Sequence, residues 1–344
     1  MSRFTEFQLI RRFTKAPSRN DPHQIVPSGD DAFVGFFGGA RLTMTVDVLT
    51  ENADFRRTWY PSRYGRGALA RLLPGTDFSQ LGVKLARVNL SDLYAMGDVR
   101  PRWAVGTMSL NERYSHEEVL AISRGVRHEL ERHGCAIVGG DISRSVELEL
   151  SLTLIGEMVS GEPKRRDGYA VGDVVCVTGF PGDARAGYHL IERTEHGRPV
   201  RLKPADTRYL VRRHLLPDLR HRVMRPLLPH VTAMMDVSDG LARSLDEMVR
   251  RRTDVSLEID AGRIPVSGPL RRFCAASGED PRAVALSGGE DFEVLFTARP
   301  DAAVHLQRTG GISVIGTVIP RRGGRKVILH NYRGPVDAFD HFSS

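Results

Sequence analysis

The chain lacks the features that mark membrane proteins, secreted proteins and zinc fingers. No run approaches the roughly 18 consecutive apolar residues that a membrane-spanning helix requires, and the opening MSRFTEF has no apolar core typical of a signal peptide. The three cysteines, Cys135, Cys176 and Cys274, form no CxxC pair, which argues against a disulfide framework or a structural zinc site. We therefore expect a cytoplasmic protein with buried, reduced cysteines and no membrane partner.

Familiar nucleotide-binding and catalytic motifs are also missing. The sequence contains no GxxxxGK[ST] loop, no GxGxxG, no kinase HRD or DFG set and no GxSxG. Its formal charge is +7, from 49 Lys and Arg against 42 Asp and Glu, and basic proteins bind either nucleic acids or anionic metabolites. The arginines form short doublets outside any nucleic-acid-binding frame. The positive charge therefore leaves a nucleic-acid-binding or non-catalytic role as an alternative. Because no nucleic-acid-binding motif is present, our main expectation is a protein without a nucleic-acid partner.

The remaining composition is that of an ordinary globular protein. Of the 344 residues 41% are hydrophobic and 26% are charged, and this length suggests two domains. An amphipathic helix is predicted at residues 4–14, and strand-like and helix-like segments alternate after it. They include strands at 42–49 and 255–260 and helices at 79–97 and 115–133. This alternation predicts a mixed α/β (α+β) fold. The pattern breaks in a Gly-, Pro- and Arg-rich stretch at 160–172, which predicts one domain over residues 1–158 and a second over residues 159–344.

The most unusual feature is the placement of the acids. They recur at the ends of apolar runs. They stand beside Gly or Ser in GDD (29–31), NLSD (89–92), GGD (139–141), DVSDG (236–240) and SGGED (287–291), and after valine in TVD (45–47). Each alone is typical of a turn or helix cap, but strand ends can bring several into one pocket. Unpaired carboxylates repel unless a cation neutralises them. Hard oxygen ligands of this kind predict several Mg²⁺ ions, as transfer of a phosphoryl group from a nucleotide requires.

These motifs resemble, in order and almost end to end, the thiamine-monophosphate kinase family of the aminoimidazole ribonucleotide synthetase-like superfamily. The resemblance rests on SGDDA, VNLSDLYAMGD, VGGDISRS, MDVSDGLARSL and ALSGGEDFEVLF. It implies a two-domain fold whose N-terminal-domain strands form the interface of a homodimer. ATP as co-substrate would lie in the cleft between domains and pass its γ-phosphoryl directly to thiamine phosphate or a related small, phosphorylated or anionic metabolite.

The resemblance also implies roles for individual residues. The implied metal ligands are Asp31, Thr45, Asp47, Asp92, Asp141, Asp236 and Asp239, of which Asp47 and Asp239 are the implied catalytic residues. The implied ATP contacts are Gly140, Asp141, Arg166 and Ser238. The positions that hold the substrate correspond to Asp54, Glu290 and Phe339.

The chain departs from the family mainly on the substrate side. Val46 replaces a threonine beside a metal ligand, Asp54 stands where the family has a histidine, and Ser244 replaces an acid. An insertion after Phe55 carries arginines and aromatic residues, and it is either a lid over the acceptor or a surface elaboration or dimer contact. These departures leave a second reaction open. In it, ATP would activate an oxygen of a different metabolite, and a nucleophile would then displace phosphate.

Overall fold

The computed structural model describes residues 23–26, 29–62, 65, 67–302, 306 and 310–334. The helix predicted at residues 4–14 and the substrate position Phe339 lie outside these residues. Two six-stranded sheets, one in each half of the chain, organise the structure and confirm the mixed α/β class. Across the described residues no helix combines the length and apolar composition needed to cross a membrane.

The N-terminal sheet has the strand order β1-β2-β3-β6-β4-β5. Its strands are β1 (Gln24–Val26), β2 (Phe33–Phe37), β3 (Ala40–Thr50), β4 (Asp98–Leu110), β5 (Ala136–Arg144) and β6 (Glu149–Ser160). All neighbours are antiparallel except β4 and β5, which run parallel and are joined by a helical crossover. Alternation along β3 buries Thr43, Thr45 and Leu49 while Met44, Val46 and Val48 remain exposed.

Two long helices cover the inner face of this sheet, after a short first helix α1 (Leu69–Leu72). They are α2 (Ser79–Ala95) and α3 (His116–Arg132), both predicted from their apolar period. Helix α3 begins with a capping box, in which the Glu118 amide donates to Ser115 Oγ and the Ser115 amide donates to Glu118 Oε2. Leu81, Leu85 and Leu93 of α2 are buried in the resulting core, so α2 lies directly over the centre of the sheet.

The C-terminal sheet has the order β12-β9-β11-β7-β10-β8. Its strands are β7 (Val174–Thr178), β8 (Val231–Val237), β9 (Val255–Asp260), β10 (Glu293–Ala298), β11 (Ile312–Pro320) and β12 (Val327–His330). The helices of this half are α4 (Asp183–Glu195), α5 (Pro204–Leu215), α6 (His221–Met224), α7 (Leu241–Val249), α8 (Gly268–Ser277) and α9 (Pro281–Ser287). Both faces of the sheet are covered, one chiefly by α7 and α9 and the other by the segment around Met224 and Leu227.

The two halves share one apolar core. Leu190 and Ile191 of α4 and Leu210 of α5 belong to the same buried cluster as Leu81 and Leu85 of α2. The alternation of strands and helices in the sequence breaks at the loop of residues 160–172, but the apolar packing continues across the two halves. This contact sets α2 of the N-terminal half against the end of β8, where the acids of both halves meet.

The predicted strand-end placement is wrong for Asp47 and Asp141, which lie within β3 and β5. Asp92 lies within α2, the helix that the apolar period predicts. In each case the element continues past the acid. The backbone amide of Asp47, for example, donates to Asn89 Oδ1 of α2 at 2.9 Å.

Candidate active site

Three carboxylates from both halves of the chain meet in the interior. Oxygen atoms of Asp31, Asp92 and Asp236 lie within 4.8 Å of one another. They come from the loop before β2, from helix α2 and from strand β8. Thr45 Oγ1 donates to Asp92 Oδ2 at 2.8 Å and also lies 3.3 Å from the backbone oxygen of Asp31. The structure thus brings together four of the predicted metal-binding residues.

Arg166, in the loop between the sheets, contacts this cluster directly. Its Nε donates to Asp31 Oδ1 at 3.2 Å, Nη2 contacts the same oxygen, and its backbone amide donates to Asp30 Oδ2 at 3.4 Å. Among the described residues, nothing donates a hydrogen bond to the buried Asp31 Oδ2. One arginine therefore leaves most of the carboxylate charge uncompensated.

Burial and mutual repulsion raise the pKa values of these acids. Burial, reinforced by the neighbouring carboxylates, raises the pKa of Asp31 and of Asp236 to about 7, against the opposing effects of Arg166 and of the Ser91 hydroxyl. Burial also raises the pKa of Asp92 well above its usual range, and Asp47 and Asp236 add to the effect. A divalent cation removes this penalty. The oxygen-only donor set, with the unpartnered Asp31 Oδ2, fits Mg²⁺.

Asp47, Asp239 and Asp54 lie at the margin of the cluster. Burial raises the pKa of Asp47 to about 6, and the charges of Asp54 and Asp239 contribute although Asp92 opposes them. Asp239 follows β8, with its Oδ2 3.3 Å from Arg243 Nε. Asp54 closes a turn, because its Oδ2 accepts from the Thr50 amide at 2.7 Å. The acid at the family's histidine position therefore has a local structural contact as well as a place near Asp47.

Glu290 occupies a separate subsite that also draws on both halves. Its Oε1 is 2.8 Å from Lys84 Nζ on α2, and its Oε2 is 3.0 Å from His214 Nδ1 on α5. Burial opposes ionisation of Glu290, but the charges and contacts of Lys84 and His214 outweigh it and lower its pKa. The peptide at Glu290 has φ = 63°, and its amide donates to the backbone oxygen of Ser238 at 2.5 Å. This bond connects Glu290 to the loop that carries Asp239.

Lys84 and His214 are site residues that the sequence reasoning missed. Lys84 is 2% exposed although it carries a charge, and it precedes Asp92 by two α-helical turns on the same face of α2. The sequence did offer a signal for Lys84, because a lysine within the apolar face of a predicted helix needs a buried partner. His214 had no comparable signal, because its meeting with Glu290 depends on packing of α5 against the loop before β10.

Asp141 and Gly140 lie away from the cluster in this chain. The register aligns Asp47, Leu152, Gly106 and Gly140 across β3, β6, β4 and β5. Three strand spacings place Gly140 roughly 14 Å from Asp47. Asp141 is in the next row, beside Thr107, so its side chain is on the opposite, exposed face of the sheet.

The close approach of β4 and β5 explains why position 140 is a glycine. A Cβ there would lie 2.2 Å from the backbone oxygen of Gly106, so the two strands approach too closely for a side chain.

Ser244, where the family has an acid, is buried in α7. Burial raises the pKa of the nearby Asp246.

Comparisons with known proteins agree with this arrangement of two halves. The family model described as AIR synthase related protein, N-terminal domain, matches residues 29–158, and its C-terminal counterpart matches residues 170–328. The thiamine-monophosphate kinase of Aquifex aeolicus (strain VF5) is 33% identical over 271 residues, covering 78% of this chain and 79% of the relative. That of Escherichia coli (strain K12) is 33% identical over 296 residues, covering 85% and 82%.

Solved structures of related proteins also match both halves of this chain. The complex described as AaThiL with AMPPCP and TMP has a TM-score of 0.80 and 28% identity, covering 98% of this chain and 97% of that one. The Escherichia coli hydrogenase maturation protein HypE, at 20% identity and a TM-score of 0.62 over 87% of this chain and 86% of that one, shares the fold. With both family models matched and relatives 33% identical over about four-fifths of their length, the chain belongs to the thiamine-monophosphate kinase family of AIR synthase related proteins.

Proposed function

We propose that the protein is a kinase that transfers the γ-phosphoryl group of ATP to thiamine monophosphate. A phosphate oxygen of the acceptor forms a bond to the γ-phosphorus, and the bond from that phosphorus to the β–γ bridging oxygen breaks, which gives thiamine diphosphate and ADP. The observation that carries the proposal is the buried meeting of Asp31, Asp92 and Asp236 from both halves of the chain. Relatives named thiamine-monophosphate kinase support the choice of acceptor.

The residues fit Mg²⁺, and we assign Asp31, Thr45, Asp92 and Asp236 to hold it, with Asp47 and Asp239 completing the donor set at the margin. When bound, the metal neutralises phosphate charge. Arg166 is placed to orient phosphate oxygens beside Asp31, since a guanidinium matches their geometry. Ser238, in the loop after β8, is assigned to the nucleotide.

The transfer needs no general base in this chain. The attacking phosphate is already an anion, so positioning and neutralisation of charge carry the reaction. Glu290, fixed by Lys84 and His214, is assigned to the acceptor side. Asp54, whose charge acts on Asp47, is assigned to the substrate as well. Phe339 keeps its assignment to the substrate from the family pattern alone.

A homodimer is part of the proposal. The outer face of the N-terminal sheet exposes Met44, Val46, Val48, Trp103 and Val105, each at least 39% exposed. A contiguous apolar sheet face of this kind marks an interface, and a second copy of the chain is the occupant that the family pattern indicates. Asp141 lies on the same face, so its proposed contact is to ATP held by the partner copy.

Two further assignments belong to the same proposal. The three cysteines described by the structure are free and buried, which suits a reducing cytoplasm. Residues 1–158 would form the domain that binds metal and nucleotide and dimerises, and residues 159–344 would complete the cleft.

Product analysis separates this function from activation followed by displacement. The protein is incubated with ATP, Mg²⁺ and thiamine monophosphate, and ADP, free phosphate and product mass are measured together. Equal amounts of ADP and thiamine diphosphate are expected. Equal ADP and free phosphate without thiamine diphosphate would favour the second reaction. Asp92→Asn should remove turnover, while Asp301→Asn, an exchange on an exposed acid, serves as the matched control.

A further inference from the structure

We propose that residues 56–60, the bridge segment, join the two halves of the chain and set affinity for the acceptor by positioning His214 against Glu290. This inference rests on the kinase function proposed above. The segment begins the insertion that departs from the family, and it contains a 3₁₀ turn at Arg57–Trp59.

The arginine pair at the start of the bridge segment contacts both halves. Arg57 Nη2 donates to Glu118 Oε1 of α3 at 2.9 Å, and its guanidinium lies 5.0 Å from the ring centre of Tyr114. Arg56 turns the other way and contacts Glu192 at 3.1 Å and Glu195 at 3.3 Å on α4. Consecutive residues thus anchor the segment to the N-terminal half and to the C-terminal half.

Trp59 connects the bridge segment to the acceptor subsite around Glu290. It is 2% exposed, and its Nε1 donates to Glu195 Oε2 at 3.1 Å, beside a contact from Thr58 Oγ1 to the same carboxylate. The indole meets the ring of His214 edge-on at 5.8 Å and that of Tyr188 at 6.0 Å. Glu195 therefore fixes the indole, and the indole supports one side of His214.

His214 transmits this support to Glu290. Its ring is 1% exposed and lies between Trp59 and the Glu290 carboxylate. Tyr60, which stacks on Phe78 at 4.8 Å, is also within electrostatic reach, because the charge of Glu290 adds to burial in raising the pKa of Tyr60. Trp59 is consequently a positioning residue, which acts on the acceptor subsite through His214 rather than by touching the acceptor.

The bridge segment makes its contacts on the Glu290 side of the site. They reach α3 through Arg57, α4 through Arg56 and α5 through Trp59. The metal cluster is held by a different set of contacts, from Thr45, Ser91 and Arg166. Loss of the bridge should therefore weaken acceptor binding while leaving nucleotide binding nearly unchanged.

Kinetics of bridge variants test the inference. Trp59→Leu should raise the KM for thiamine monophosphate roughly 10-fold while the KM for ATP changes less than about twofold. Glu195→Gln, which keeps the shape of the side chain, should raise the acceptor KM roughly 3-fold. Trp59→Phe, which keeps an aromatic ring against His214, should recover part of the loss. Glu247→Gln is the matched control, because it breaks an ion pair between Glu247 of α7 and Arg250, which follows that helix.

The outcomes separate the two proposals. If the wild type makes no thiamine diphosphate, the kinase function fails and the inference fails with it. If the wild type is active but the folded variants keep the wild-type acceptor KM, only the inference is overturned. An equal rise in both KM values would mean general loss of structure and would also overturn it. Should Trp59→Leu not fold, Glu195→Gln and Trp59→Phe decide.

Discussion

Ser91 Oγ donates a hydrogen bond of 2.9 Å to Asp236 Oδ2. This bond joins helix α2 of the N-terminal half to strand β8 of the C-terminal half, next to the carboxylate cluster. It orients Asp236 and opposes the rise in its pKa that burial causes. A small hydroxyl thus supports a proposed metal ligand from the other half of the chain.

Removing this hydroxyl should weaken metal binding. Ser91→Ala leaves Asp236 without its donor, and loss of such an outer contact costs roughly 10-fold or more in metal affinity. We expect the Mg²⁺ concentration for half-maximal activity to rise by about that factor at saturating ATP. Ser91→Thr, which restores a hydroxyl, should recover much of it. Unchanged Mg²⁺ dependence in Ser91→Ala would contradict the role of this bond.

The carboxylate cluster should cost stability in the absence of metal. Asp92→Asn removes a buried acid whose ionisation is opposed by burial and by the charges of Asp47, Asp236 and Asp31, so we expect Tm in EDTA to rise by a few degrees. The same change should reduce the rise in Tm that Mg²⁺ and ATP together produce in the wild type. Differential scanning calorimetry with and without Mg²⁺ measures both effects. A variant that is less stable in EDTA but fully stabilised by Mg²⁺ would refute the assignment.

Glu129 should give the chain a stability that depends on pH. Burial opposes its ionisation, but hydrogen bonds from His133 and Arg87 and the charges of Arg87 and Arg132 outweigh it and lower its pKa to about 2. Because the folded pKa is below the unfolded value, this stabilisation is complete above about pH 5 and is lost as the pH falls towards 2. Arg87 also donates to the backbone oxygens of Leu216 and Pro217, so the pair supports the contact between halves.

The matching variant is Glu129→Gln. Its Tm should be lower than that of the wild type at pH 7, and the difference should shrink steadily below pH 4. Glu131→Gln, an exposed neighbour on α3, is the control and should change little. A difference that stays constant from pH 7 to pH 3 would show that packing, rather than ionisation, is responsible.

The exposed sheet face should mediate dimerisation. Val46→Glu places a charge in the middle of a face whose valine is 59% exposed in the single chain, and burying an unpaired charge is costly. We expect sedimentation to show a monomer in the variant and a dimer in the wild type. Val171→Glu, on an exposed valine outside that sheet, provides the control. A wild type that sediments as a monomer would exclude the proposed interface.

The sequence was most informative where local pattern decides structure. The apolar period predicted α2 and α3 closely, and the apolar runs at 42–49 and 255–260 became β3 and β9. Short elements such as β1, α6 and β12 were not predicted, since they carry too few residues for a period and depend on pairing or packing with distant segments.

In the candidate site too, local sequence pattern was predictable and contacts between distant segments were not. The chemistry of its acids was visible in GDD, NLSD and DVSDG, because several recurring carboxylates beside small residues predict a shared cation. Which acids meet was not visible, since it depends on sheet register. Asp141 lies on the far face from Asp47 although its motif resembles the others. The partners of Glu290 and the anchoring of Trp59 likewise depend on contacts between the halves.

Transfer of label from ATP tests the central claim most directly. The protein is incubated with Mg²⁺, thiamine monophosphate and ATP carrying a radioactive γ-phosphate, and the products are separated chromatographically. The account predicts that the label appears in thiamine diphosphate, with one labelled product for each ADP formed. Label recovered only as free phosphate, with thiamine monophosphate unchanged, would contradict it.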